Sequence, residues 1–225
     1  MGRLLVGGET GDWMGDPMTT AIASALELLN RRLPLAQRQS ALPPEFAAAH
    51  RAILRSQFQT GLIPDARTLP QGALARLRAD DLVVVSKDGT RILGAYPMTT
   101  EPTPHRLVLP GRTIYAMCAV DALSVAAMYG IEVEIESTCR VTHEPVRVKM
   151  DGPRIVSASP EGVLVGVRWD KPSGVPAAHS LCMEMVFLRD DAAAKEWSGG
   201  DSGSHTVLSL EEGAEFGARF FKPLV

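Results

Sequence analysis

Between Ile131 and Leu188 the chain reads as a run of short strands punctuated by turn residues, and this pattern restricts its fold more than any other feature. The strand-like stretches are Ile131–Ser137, Glu144–Met150, Arg154–Ala158 and Val163–Trp169; past a Pro/Gly loop at Lys171–Pro176 comes Ser180–Leu188. Few of these strands alternate with helices, which disfavours a parallel sheet with crossover helices. An α+β core of antiparallel strands is expected instead. The segment GAEFGARFF near the C-terminus suggests a closing short helix.

The first half of the chain has a different texture. Residues 1–17 hold five Gly and one Pro with no helical period, and are expected to form a flexible tail. From Met18 to Leu33, apolar residues at Ile22, Leu26, Leu29 and Leu33 recur at helical spacing, and Pro34 marks the end. Pro43–Pro44 open a second helix, which Gly61 stops, with Phe46, Ala49, His50, Ile53 and Leu54 on one stripe. Asp65 opens a short helix through Leu77. Leu82–Ser86 and Arg91–Ala95 then flank a Lys87-Asp88-Gly89 turn as a hairpin. Helices followed by a hairpin predict a winged-helix-like domain over residues 18–96. Pro97, Pro102, Pro104 and Pro110 make 97–111 an extended connector, and 112–225 forms the second domain.

Composition narrows the function classes. With 225 residues, 45% hydrophobic and 22% charged, the chain can bury a core without disulfides or a structural metal. Its net charge of −3 lacks the basic footprint of a nucleic-acid binder, and the would-be recognition helix, Thr68–Arg78, offers only Arg76 and Arg78. No apolar run approaches the about 18 residues that a membrane span needs. The N-terminus lacks the apolar stretch of a signal peptide. The expectation is a soluble, cytoplasmic protein whose three cysteines are free thiols.

Cys118 stands in the first turn of a mostly apolar helix predicted from about Ala116 to Tyr129 and stopped by Gly130. Free N–H groups and the helix dipole there favour a thiolate. Asp121 lies three residues on, on the same face, and is the only acid in AMCAVDALSVAAM, so desolvation should raise its pKa. A carboxylate there can accept the thiol proton. Equally, Cys118 can be a small buried hydrophobe and Asp121 a cap. Cys182 lies in SLCMEMVFL, read as a strand with Cys182, Glu184 and Val186 on one face. Cys139, at a strand end, reads as a structural thiol. Cys139 and His143 lack the paired spacing of zinc sites, and no nucleophile signature supports a dyad of Cys118 with His143. There is no phosphate-binding glycine loop and no dinucleotide fingerprint.

Taken together, IYAMCAVDALSVAAMYG, VEIESTCRVTHEPVRV and HSLCMEMVFL, in that order, resemble the alkylmercury lyases, or organomercurial lyases. The shared features are an aromatic-Ala-x-Cys-Ala-x-Asp-x-Leu helix, then E-S-x-C before E-P-V, then S-x-C before an apolar strand. The resemblance covers roughly residues 105–221, includes EEGAEFGARFF, matches 45–100 only in pattern and leaves the first forty residues unmatched. It implies protonolysis of a carbon–mercury bond by Cys118, Asp121 and Cys182, with Cys139 structural. Mercury then ends on Cys118 and Cys182 and leaves to small thiols or a mercuric reductase, and no cofactor is needed. Two positions depart from the family: Met183 stands where some members carry a second Cys, and His143 where a small residue is common. A non-catalytic Hg or Cu binding protein on the same scaffold is the alternative. Asp121 separates the two, because a pure binder has no use for a buried acid.

Overall fold

A computed structural model describes residues 20–170, 176–199 and 205–225. The tail expected at 1–17, and the Pro/Gly loop except Pro176, lie outside the described residues. Helix α1 (Thr20–Arg32) buries Ile22, Ala25 and Leu29. Pro34 sits just beyond the end of α1, as expected, and leads into a further short helix α2 (Leu35–Ser40). Helix α3 (Pro44–Thr60) has its proline in the first turn, where the missing N–H is no loss. It ends at Gly61, whose φ of 73° suits a residue without Cβ. The helix expected from Asp65 to Leu77 is broken in two. Asp65 caps only a 3-10 turn, Ala66–Thr68, and α4 (Ala73–Ala79) starts after Pro70 and a left-handed Gly72.

The hairpin follows as β1 (Val83–Val85) and β2 (Ile92–Ala95). The stretch 97–111, expected as a connector, carries β3 (Met98–Thr99) and β4 (His105–Leu109) instead. Its prolines at 97, 102, 104 and 110 fall between these strands, where no ladder N–H is required. After β5 (Arg112–Ala116) and α5 (Ala119–Tyr129) come β6 (Glu132–Thr138), β7 (Pro145–Asp151) and β8 (Arg154–Ser159). Together β1 to β8 form one antiparallel sheet in the order β1-β2-β3-β5-β4-β6-β7-β8. The sheet therefore runs unbroken across residues 97–111.

A second antiparallel sheet has β9 (Leu164–Arg168) between β10 (Met185–Leu188) and a later strand. After α6 (Asp191–Ser198), that strand, β11 (His205–Ser209), leads into α7 (Leu210–Phe221), which a Ser209/Glu212 capping box starts. The architecture is thus mixed α and β with antiparallel sheets, as the strand pattern implied.

Helix α5 is the centre of the core: every residue from Ala119 to Met128 is buried. It packs on α7, on β10 and on the large sheet. Its approach to α7 is close because a Cβ on Gly217 would lie 2.7 Å from the Val120 carbonyl oxygen. The two sheets meet where Cys139 bridges Phe187 in parallel and the Arg140 N–H donates to the Phe187 carbonyl at 2.9 Å. Among the described residues no helix is long and apolar enough to cross a membrane.

Candidate active site

Cys118 does not lie inside a helical turn. β5 continues to Ala116, and Cys118 is the N-cap of α5 in an extended conformation. Its Sγ accepts a hydrogen bond from the Asp121 N–H at 3.4 Å, as a Ser or Thr oxygen would in a cap. The helix thus fixes both residues, since Asp121 occupies the third helical position and the cap bond spans the two. On its other side Cys118 Sγ donates to Met185 Sδ at 3.6 Å.

Cys182 is not in a strand either. It lies in a 3-10 turn, Leu181–Glu184, and β10 begins only at Met185. The apparent alternation misled because Met183 is 52% exposed while Glu184 is buried beside Arg140, 3.7 Å away. The turn brings Cys182 to the N-terminus of α5. One ligand atom each from Cys118, Asp121 and Cys182 lies within 4.8 Å of the others, and all three residues are buried. Cys139 and His143 are outside this cluster. Cys139 is buried at the junction of the sheets, and His143 is exposed on the β6–β7 turn with φ 59°.

Burial decides the protonation states. It pushes the Asp121 carboxyl up to about 8, which contacts with the Cys118 and Cys182 thiols only partly counter. Asp121 Oδ2 has no hydrogen-bond partner. Burial also drives the Cys118 thiol well above its usual value, and the neighbouring Cys182 and Asp121 add to this. The single N–H from Asp121 opposes them and loses, so the thiolate expected from the helix terminus gives way to a neutral thiol. For Cys182, hydrogen bonding with Cys118 favours the thiolate, but burial and the Asp121 and Asp81 carboxyls outweigh it. The resting site holds its protons and carries no buried charge, which a low-dielectric interior requires.

A cavity of about 320 Å³ leads to Cys182, lined by Met117, Met183, Met185, His105 and Val186 among others. A larger groove, about 840 Å³, lies elsewhere beside Leu62, Arg67 and Leu93 and has no thiol in its lining. Of these two, the smaller one reaches the cysteine cluster.

The match to the family model for alkylmercury lyase covers residues 98–222, more than half of the chain and all three cluster residues. The chain belongs to the alkylmercury lyase family. An alkylmercury lyase of Bacillus cereus is 37% identical over 121 residues, 53% of this chain and 54% of that protein. One of Staphylococcus epidermidis is 35% identical over 128 residues, 56% of this chain and 57% of its own length. The chain thus spans about half the length of the curated relatives it matches. The fold is also that of a mercury-bound MerB2 crystal structure, with a TM-score of 0.68 at 24% identity over 92% of this chain and 100% of that one.

Within this alkylmercury lyase fold, two residues near the cluster carried no sequence signal. Tyr96 Oη donates to Asp81 Oδ1 at 3.0 Å and accepts from the Ala178 N–H at 2.9 Å. Asp81 Oδ2 accepts from the Ala177 N–H at 3.1 Å. The pair ties the segment just before Cys182 to β1 and β2, across 82 to 96 residues of chain. Asp81 takes a positive φ of 49°, a conformation that Asp tolerates better than most residues. No local motif announces such a contact.

Proposed function

We propose that this chain is an organomercurial lyase that cleaves R–Hg⁺ by protonolysis, with Cys118, Asp121 and Cys182 as the reacting groups. The observation that carries this reading is the convergence of two thiols and one protonated carboxyl within 4.8 Å in a buried site. Mercury(II) is soft and prefers sulfur. An R–Hg–X substrate exchanges X for the sulfur of Cys118, and X leaves as HX with that thiol's proton. The sulfur of Cys182 then approaches, raises the electron density on mercury and weakens the Hg–C bond. The carbon departs with the bonding pair and takes the Asp121 proton. Cys182, which approaches mercury as a thiol, gives its proton to the Asp121 carboxylate as that carboxylate forms, and its sulfur then completes the second Hg–S bond. The products are R–H, HX and Hg(II) on two thiolates, with Asp121 reprotonated. No electron is gained or lost, and the reaction calls for no organic cofactor.

Release requires exchange onto small thiols or a thiol-bearing partner such as a mercuric reductase. A reducing, cytoplasmic setting keeps the three cysteines as free thiols. We read α1–α4 with the β1–β2 hairpin as a winged-helix-like unit that serves as a wall of the site, because Asp81 and Tyr96 belong to it, and not as a nucleic-acid reader. Cys139 is read as structural, since it sits where the sheets join. The test is incubation with phenylmercury and excess small thiol. Benzene detected by gas chromatography supports the assignment. A stable phenylmercury adduct without benzene would instead make the chain a soft-metal binder.

A further inference from the structure

Met185 is the first residue of β10, three positions past Cys182, and is 3% exposed. The antiparallel pairing of Met185 with Val167 holds it in the small sheet. A buried methionine commonly fills space with its methyl group. Here the atom that meets the Cys118 thiol is the sulfur, at 3.6 Å. The Cys118 sulfur thus faces a second soft donor as well as the other members of its cluster.

We propose that Met185 Sδ is a third sulfur ligand for mercury held by Cys118 and Cys182. The proposal rests on the reading of those two cysteines as mercury ligands. A thioether is neutral and soft, suited to thiophilic cations such as Hg(II). It donates a lone pair with no proton released and no bond broken, so the proton balance of the reaction is unchanged. It adds electron density to mercury before cleavage and retains Hg(II) afterwards. Met117 and Met183 line the same cavity, with Met183 half exposed at its mouth. Met117 has its methyl group packed where a Cβ on Gly94 would lie 2.6 Å away, so it is the methyl end that this contact fixes. Of the three methionines at this cavity, Met185 is the one whose sulfur meets the Cys118 thiol.

The experiment is mercury L-edge X-ray absorption on the full chain loaded with one equivalent of Hg(II) and freed of small thiols. The wild type should show two short Hg–S contacts and a third, longer one. Met185→Leu should lose the longer contact and keep the short pair, and release Hg(II) faster to a competing dithiol. Met183→Leu should retain all three. A wild-type shell of two sulfurs only, or a third contact that survives Met185→Leu, would overturn the assignment. Failure of the underlying reading looks different: the short pair itself would be absent or indifferent to Cys118→Ser.

Discussion

Replacing Asp121 with Asn isolates the energetic consequence of burying an acid. In the folded chain this carboxyl titrates at about 8, and its ordinary value is 3.8. Between those values the unfolded chain is ionised there and the folded chain is protonated. Folding therefore takes up a proton, and stability falls as pH rises through this window, levelling off only above the folded pKa. The slope is about 1.4 kcal/mol per pH unit for one proton, so about 3 kcal/mol is lost between about pH 5 and about pH 7. The amide introduced by Asp121→Asn cannot titrate. Urea unfolding at these two pH values should show the variant gaining on the wild type by about that amount. The Cys118 and Cys182 thiols do not interfere, because both titrate above their usual value, outside this window. A gap between variant and wild type that is the same at both pH values would refute the claim that Asp121 is held protonated.

Cys118→Ser should abolish capture of phenylmercury as well as turnover, whereas Cys182→Ser should keep a one-to-one adduct by native mass spectrometry and form no benzene. Cys139→Ser should lower stability by about 1–3 kcal/mol, the range for a poorly compensated buried hydroxyl, before it affects chemistry; a normal melting curve with no turnover would contradict its structural role. Tyr96→Phe leaves the Ala178 N–H and Asp81 short of a partner. It should cost about 1–3 kcal/mol in urea unfolding and slow Hg–C cleavage more than capture at Cys118; unchanged cleavage would remove Tyr96 from the positioning of Cys182.

Local chemistry made some elements legible. Pro44 and Gly61 bracket α3 where the sequence puts them, and the alternation of Val133, Ile135 and Ser137 against Glu132, Glu134 and Glu136 marks β6. The start of α5 was hidden because Ile114 to Met128 is apolar nearly throughout, Asp121 and Ser124 excepted. Such a run gives no period by which to divide strand from helix. Only the structure shows β5 ending at Ala116 and Cys118 as the cap. Met183 and Glu184 invert the burial that an alternating strand assigns them, which concealed the 3-10 turn at Cys182. Helix position correctly suggested an N–H for Cys118, but one such bond is weaker than the complete burial that keeps the thiol neutral. The motifs singled out Cys118, Asp121 and Cys182, the three residues that the fold brings together. Asp81 and Tyr96 were not singled out, since their partners lie far along the chain and are backbone N–H groups that every residue but proline carries.

The most direct test of protonolysis is a single turnover of the pre-formed protein–phenylmercury adduct in D2O, with benzene collected and its isotopic mass determined. If carbon takes its proton from exchangeable Asp121, the benzene carries one deuterium, and Asp121→Asn slows its release by about 10²–10⁴-fold. Added small thiol should not restore the rate, since it exchanges ligands and supplies no positioned proton. Benzene without deuterium, or an unchanged single-turnover rate in the variant, would contradict the account.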